Sequence, residues 1–371
     1  MRIGIDARMY QSGVAGIGRY SQNLIKNLLE IDHDDEFVLF MTSEDYREFK
    51  NQNANIKMTN QNVKIVITDI KHYSLSEQTK LPGIIAKEKL DLMHFLNFNY
   101  PVRYRGKFIV TIHDLTLFFF PETAKETNTL KRMAFSYIFK NAVKNAAQVI
   151  AVSQNTKKDI IKKLKIKNSK VKVIYEAADD KVFSEVSLKN IEKIKSRYRI
   201  GNTPVILYVG QFRPHKNVKG LLDAFKLLRQ ERPVKLVLLG KSEGIDKIEK
   251  NKDILTPGFV SNEELASWYK IASVFCFPSF YEGFGLPGLE AMRSGTPVVA
   301  SKTSSLPEIY KDAAIYFDPS KPNDIVDKIK IVLSNEKMSK NLSEKGKYIS
   351  QQYSWRKTAQ ETLKVYKSVI Q

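Results

Sequence analysis

Along the chain, short runs of apolar residues alternate with longer stretches whose apolar positions recur every three or four residues. The runs Arg2–Ala7, Phe37–Met41, Val63–Thr68, Leu92–Phe95, Phe108–Ile112, Gln148–Val152 and Val171–Ile174 read as strands. A charged stretch follows, Asp179 to Arg199, with little apolar content beyond Val182, Phe183 and scattered isoleucines. The alternation then restarts at Val205–Val209, Val234–Leu239, Ile254–Thr256, Val274–Phe277, Pro297–Ala300 and Ala313–Phe317. VILYVG and VKLVLLG are continuously apolar rather than alternating, which marks strands covered on both faces. Strand–helix repetition of this kind builds doubly wound parallel sheets. The expected fold class is therefore α/β, with two Rossmann-like domains facing a cleft at the carboxyl ends of their strands, where open α/β sheets bind ligands. The expected boundaries are a first domain over 1–178, a linker over 179–202, a second domain over 203–354 and a last helix over 355–371. In that helix Trp355, Ala359, Leu363, Tyr366 and Ile370 form one apolar face, whose partner periodicity leaves open.

Composition narrows the class. With 371 residues, 43% hydrophobic and 11% aromatic, the chain has ample material for buried cores, which excludes a disordered protein. No apolar run approaches the roughly 18 residues of a membrane span, and MRIGIDAR does not read as a signal peptide. Cys276 is the sole cysteine, so intrachain disulfides and thiolate zinc clusters are excluded and a cytoplasmic, reducing compartment is expected. The formal charge is +20, and Lys131 to Lys172 holds twelve Lys or Arg against the single acid Asp159. Such a window reads as solvated helix faces or as a surface for an anionic membrane, with Phe135, Ile138, Phe139 and Val143 as apolar neighbours. Nucleic acid is disfavoured, because the window lacks Arg–aromatic interleaving and no zinc-finger spacing occurs.

Chemistry concentrates where strands end. After the first strand come Gly13, Gly16 and Gly18 and then a helical stretch, an arrangement that lets backbone amides approach a phosphate at a helix start. The spacing is GxxGxG rather than GxGxxG, and the same glycines would also serve a tight strand-to-helix turn. His113 and Asp114 close the strand FIVTI, so they stand at its carboxyl end and can hydrogen-bond a substrate hydroxyl or orient one another. His33, His72 and His94 read as structural. Past VILYV, the segment Gly210-Gln-Phe-Arg213-Pro-His215-Lys216-Asn217 places two cations at a helix start, suited to a diphosphate or to ordinary loop solvation. The most informative segment is Glu282-Gly-Phe-Gly-Leu-Pro-Gly-Leu-Glu290. Its glycines and proline forbid one continuous helix, so Glu282 lies in a loop and Glu290 in the early turns of a helix ending near Gly295. Asp32-His-Asp34-Asp35 contains a D-x-D pattern but precedes a strand, and reads as solvated surface; no metal site is expected.

EGFGLPGLEAM followed by SGTPVVAS resembles the retaining glycosyltransferases of the group-1 type, family GT4, with the GT-B fold. Glu282 and Glu290 match that family's E-x7-E motif, and GIGRY, TIHDL, VSQNTKKDI, VIYEAADDKVF and VGQFRPHKN extend the likeness over nearly the whole chain. Within the family it looks similar to mannosyltransferase-like enzymes of bacterial surface polysaccharide assembly. The resemblance implies that Gly16 and Gly18 approach the donor diphosphate or the acceptor, and that His113 hydrogen-bonds the transferred sugar. It implies that Lys216 neutralises the diphosphate, that Glu282 contacts the sugar and its phosphate within the Gly283-Phe284-Gly285 loop, and that Glu290 holds the ribose hydroxyls. Backbone at Phe259 and Val260 would meet the base. Two positions depart from the family pattern: Gln211 stands where Arg is frequent, with Arg213 two residues on, and Glu176 stands where Asn is common.

The implied donor is a GDP- or UDP-type sugar, with no cofactor and no metal, since Lys216, Arg213 and loop amides supply the charge a leaving diphosphate needs. The implied acceptor is a glycan or a lipid-linked saccharide, with peripheral attachment at the inner face of the membrane. The alternatives are a nucleotide-sugar epimerase of the same fold, or transfer of another hexose from a UDP-sugar. A dinucleotide oxidoreductase lacks its fingerprint, and a purely basic surface binder leaves Glu282 and Glu290 unexplained.

Overall fold

In the computed structural model, residues 1–11, 15–53, 62–121, 129–179, 186–240 and 251–371 are described. Gly13, Val182 and Phe183 lie outside these. The continuously apolar runs at the centre of each sheet become strands buried on both faces, because side chains alternate across a strand, whereas the edge strands Val63–Ile67, Val171–Val173 and Ile254–Gly258 stay partly exposed. The first sheet contains β1 (Arg2–Asp6), β2 (Glu36–Met41), β3 (Val63–Ile67), β4 (Leu92–Phe95), β5 (Phe108–Ile112), β6 (Gln148–Ala151) and β7 (Val171–Val173). It is wholly parallel, in the order β3-β2-β1-β4-β5-β6-β7. The second contains β8 (Val205–Val209), β9 (Lys235–Leu239), β10 (Ile254–Gly258), β11 (Val274–Phe277), β12 (Val298–Ser301) and β13 (Ala314–Phe317). Its order is β10-β9-β8-β11-β12-β13, again parallel. Strand order reverses direction between β1 and β4 and between β8 and β11, and these switch points open crevices beyond the strands' carboxyl ends.

The chain divides into two units. One holds Met1–Leu115, Glu126–Glu176 and Ser354–Gln371; the other holds Thr116–Lys125 and Ala177–Tyr353. The last helix, Trp355–Ile370, thus belongs to the first unit, where it packs on the helix Ala15–Ile31. Its Tyr366 hydroxyl lies 2.7 Å from Nδ1 of His94 on β4, whose Nε2 is 2.9 Å from Thr111 on β5. His94 is the structural histidine its apolar setting suggests.

Two segments depart from the expected boundaries. Leu188–Arg197, inside the expected linker, is a helix packed on Asn262–Ile271, with Ile194 buried and the Tyr198 ring 5.2 Å from Trp268. Its sparse isoleucines are spaced as one helical face, which the surrounding charge conceals in a composition count. Thr116–Phe119 forms a short helix that joins the second unit: the ring of Phe119 lies 5.2 Å from Tyr281, and that of Phe120 lies 6.0 Å from His215. The acids Asp32 and Asp35 are buried rather than solvated. Asp32 accepts the amides of Asp34 and Asp35, and Asp35 pairs with the Met1 amino group at 2.7 Å. Among the described residues no helix is long and apolar enough to cross a membrane.

Tyr366→Phe leaves a buried imidazole nitrogen without its partner and should destabilise the first unit by about 1–3 kcal/mol. A denaturation midpoint matching the wild type would show that His94 is satisfied some other way. Burial, with the charge of His113, holds His94 down to about 3, against an ordinary 6.5. The unfolded chain therefore binds the extra proton, so the His94 contribution is complete above pH 6.5 and is lost as the pH falls from there toward 3.

Candidate active site

In the second unit the loops after β8 and β11 adjoin at the switch point. After β8, Pro214–Lys216 makes one 3-10 turn and Asn217, at φ 53°, starts the helix Val218–Glu231 by accepting the Gly220 amide at 3.2 Å. Asn217 also donates to the Pro319 carbonyl at 2.7 Å, which fixes the helix start. After β11, the Phe280 amide donates to the His215 carbonyl at 2.8 Å, tying the two loops together. The Lys216 ammonium then donates to both oxygens of Glu282, at 2.7 and 2.8 Å. Lys216 is 22% exposed and Glu282 9%, so the pair borders solvent on the lysine side. A cation at the amino end of a helix beside a switch-point crevice has the charge and position that suit a phosphate group.

His215 sits behind this pair. Burial first, then the charges of Lys216 and Arg213, push its imidazole down to about 3, so it stays neutral. Nδ1 of His215 and Oγ of Ser279 are buried without hydrogen-bond partners among the described residues. Unsatisfied buried polar atoms beside a crevice are where a ligand or water is expected.

The glycines after Glu282 have identifiable reasons. Gly285 has φ +103° at the start of the helix Leu286–Arg293, and a Cβ there would come within 2.6 Å of both Leu306 and the Tyr310 hydroxyl. At Gly288 a Cβ would lie 2.2 Å from that hydroxyl, which donates to the Gly285 carbonyl at 2.5 Å. The loop is further latched by the segment after β12. Ser304 accepts the Glu282 amide at 2.9 Å, and Ser305 lies 3.0 Å from the carbonyls of both Glu282 and Phe284. Glu290, 2% exposed, has Oε2 at 3.0 Å from the Tyr269 hydroxyl. Phe259, just past β10, is 72% exposed, and Val260 follows it.

In the first unit Gly16 and Gly18 open the helix Ala15–Ile31 but differ in kind. A Cβ at Gly18 would lie 2.1 Å from the Gln11 carbonyl, so its bareness is spent on a close backbone approach; at Gly16 the same position is open space. His113 follows β5 as expected, but its partner is Glu176 rather than Asp114. Nδ1 lies 3.0 Å from Glu176 Oε1, and Nε2 lies 2.9 Å from the Leu96 carbonyl. Both ring nitrogens face acceptors, an arrangement that suits the doubly protonated ring. Burial opposes the charge, but the Glu176 hydrogen bond and carboxylate, with smaller help from Leu96 and Asp114, raise His113 above its ordinary value. The Tyr20 ring stands edge-on at 4.7 Å.

The second unit thus brings Lys216, Glu282 and the Gly283–Gly285 loop together at one switch point, with Glu290 one helical turn further on. His113 belongs to the first unit's own network. Residues that pattern reasoning missed are Glu176, Tyr269, Ser304, Ser305 and Tyr310. Among these only Glu176 carried a signal, its departure from the family's usual Asn. No group of three or more His, Cys, Asp or Glu that could hold a metal occurs among the described residues.

Two parallel α/β sheets in succession, each with a switch-point crevice, are the architecture of the GT-B class of glycosyltransferases. Residues 14–182 match the family model "Glycosyltransferase Family 4" and residues 190–348 match "Glycosyl transferases group 1"; the chain belongs to this family. It is 28% identical over 372 residues to the O-antigen chain mannosyltransferase B of Escherichia coli, covering 95% of this chain and 96% of that one. It is 30% identical over 242 residues to the MMP alpha-(1->4)-mannosyltransferase of Mycolicibacterium hassiacum, covering 62% of this chain and 56% of that one. In fold it is similar to Anabaena HepE, solved in complex with UDP-glucose, at a TM-score of 0.76 and 16% identity over 99% of this chain and 100% of that one.

Glu176→Gln keeps a hydrogen-bond partner but removes the carboxylate charge. The His113 imidazole should then titrate at lower pH than in the wild type, followed by NMR of the five histidines. An unmoved midpoint would assign the raised proton affinity to something other than Glu176.

Proposed function

We propose that the protein moves a hexose, mannose in the first instance, from a nucleotide-diphosphate sugar to a glycan or lipid-linked acceptor of cell-surface polysaccharide assembly. The transfer retains anomeric configuration and uses neither metal nor cofactor. The observation that carries this reading is the Lys216–Glu282 pair at the start of the Val218–Glu231 helix. Breaking the sugar–phosphate bond develops negative charge on the leaving diphosphate, and a preorganised ammonium beside a helix amino terminus stabilises that charge. The diphosphate takes over part of the Lys216 coordination from Glu282, which turns toward the transferred sugar. Arg213, two residues past the Gln211 that replaces the usual arginine, adds a second cation.

The Gly283, Phe284 and Gly285 backbone lines the sugar side, Glu290 holds the ribose hydroxyls, and the chain at Phe259 and Val260 meets the base. Of the two glycines in the first unit, Gly16 is the one with room for a ligand. His113 enters with its ring oriented by Glu176 and its proton affinity raised by that carboxylate, and reaches the sugar by exchanging the Leu96 carbonyl for a sugar hydroxyl. Support for mannose comes from the E. coli O-antigen mannosyltransferase, to which the likeness spans 95% of the chain. The UDP-glucose held by HepE favours the second reading, another hexose carried on UDP. Thermal stabilisation by GDP against UDP separates the two, because at equal concentration the nucleotide bound more tightly by the folded chain stabilises it more. Nucleotide diphosphate should be released only when an acceptor is present, whereas conversion of the nucleotide sugar into its epimer without release would favour the epimerase reading.

Lys216→Ala should lower turnover about 10²–10³-fold, the scale of losing one preorganised charge-stabilising donor. Glu282→Gln should be impaired while remaining folded; full activity in either variant would remove that residue from the mechanism. The anomeric configuration of the product, read by NMR, should match that of the donor, and a chelator should leave the rate unchanged. An inverted product, or activity abolished by chelation, would contradict this arrangement of the site.

A further inference from the structure

The His113 ring is held from two sides, and both supports trace to the start of the last helix, Trp355–Ile370. On one side stands Glu176, whose Oε1 lies 3.0 Å from Nδ1. Glu176 is outside any strand, since β7 stops at Val173, and it is the residue after which the chain leaves the first unit. Thr358 fixes the chain there. Its hydroxyl donates to the carbonyl of Tyr175, one residue before the glutamate and 183 positions from Thr358, at 2.7 Å; the Ser354 carbonyl lies at 3.1 Å. On the other side the Tyr20 ring stands edge-on to His113 at 4.7 Å, and the Trp355 ring backs Tyr20 at 5.8 Å. The Tyr20 hydroxyl is 3.2 Å from Thr111, which His94 also contacts. Trp355 and Thr358 are three residues apart and so share one helix face. Both are buried, as are Tyr20 and Glu176. Nε1 of Trp355 is buried without a hydrogen-bond partner among the described residues. An indole retained despite an unpaired N–H is retained for its ring, which here reaches Tyr20 and through it the histidine.

We propose that Thr358 and Trp355 are positioning residues for His113: they hold its Nδ1 on Glu176, so that Nε2 is the nitrogen that meets the sugar. Neither acts on substrate; Thr358 works through Glu176 and Trp355 through Tyr20. A ring free to turn presents either nitrogen in many directions, whereas one fixed at Nδ1 presents a single group along a single line. That restriction matters, because a misplacement of about 1 Å can cost a reaction about 10²-fold. Burial lowers the proton affinity of His113, and of the titratable groups facing it, namely Glu176, Asp114, His94 and Tyr20, Glu176 does most to raise it. Loosening the Tyr175–Glu176 backbone therefore weakens the contact that keeps the ring's proton. The inference rests on the reading that His113 contacts the transferred sugar.

The test follows His113 by NMR in the full chain without substrate, beside transfer kinetics. In Thr358→Val the His113 titration should move to lower pH than in the wild type. Its kcat should fall about 10- to 100-fold, with KM for the nucleotide sugar unchanged, because the second unit that holds the donor is untouched. Thr358→Ser keeps the hydroxyl and should restore both. Trp355→Leu should likewise lower kcat, whereas Trp355→Phe, which keeps a ring and gives up no hydrogen bond, should retain most of it. Val365→Ala, at a buried position two turns further along the same helix, controls for general loss of stability. It should lower the melting temperature and leave the His113 titration in place. A wild-type titration in Thr358→Val, or an equal shift in Val365→Ala, would overturn the proposal. A shifted titration with an unchanged rate would uphold the positioning of the ring and remove His113 itself from the transfer step.

Discussion

The ion pair between Lys216 and Glu282 is the constraint around which the second unit is arranged. A carboxylate held mostly out of water is costly unless it is paired and its loop is held in place. The surrounding structure meets both conditions. The Phe280–His215 backbone bond joins the two loops, Ser304 and Ser305 latch the glutamate's segment, and Tyr310 fills the spaces left bare by Gly285 and Gly288. Burial, with the charges of Glu282 and Glu290 beside it, keeps the Tyr310 hydroxyl protonated and therefore a donor. His215 stays neutral for the complementary reason: it is buried between cations. The glycine-rich segment is thus a mould for one carboxylate, and a side chain at either glycine would displace it.

The first unit solves a different problem. His113 is flanked by Glu176 and a carbonyl, so its ring is held by an acid just past β7, two strands over in the same sheet. The two units hold a cationic or titratable group against a carboxylate by different routes, a lysine paired with Glu282 at a helix start in one and a histidine hydrogen-bonded to Glu176 in the other.

Most of the fold was legible in the sequence, because buried parallel strands are continuously apolar and their carboxyl ends mark where loops bind. The thirteen strands fall within a residue or two of the apolar runs, and Trp355–Ile370 begins and ends as its periodicity indicates. Glu282 on a loop and Glu290 on the next helix follow from where glycine and proline permit helix. What stayed hidden was long-range pairing. Nothing local to Glu176 announces His113, and nothing in Ser304 or Tyr310 announces the loop they hold, since these contacts span 22 to 63 positions. The Leu188–Arg197 helix was hidden for another reason: a few isoleucines suffice to bury one face among many charges.

The assignment of the last helix to the first unit has a consequence for how the chain is made. Synthesis delivers β1 to β7 early, yet the tyrosine that satisfies His94 lies 272 residues downstream. Until the ribosome has produced the whole of the second unit, the helix Ala15–Ile31 lacks the surface that covers it, and a buried imidazole lacks its partner. The first unit cannot complete its packing until the last helix has been made. The order of synthesis and the order of completion are therefore reversed, and the unit that emerges first is the last to close.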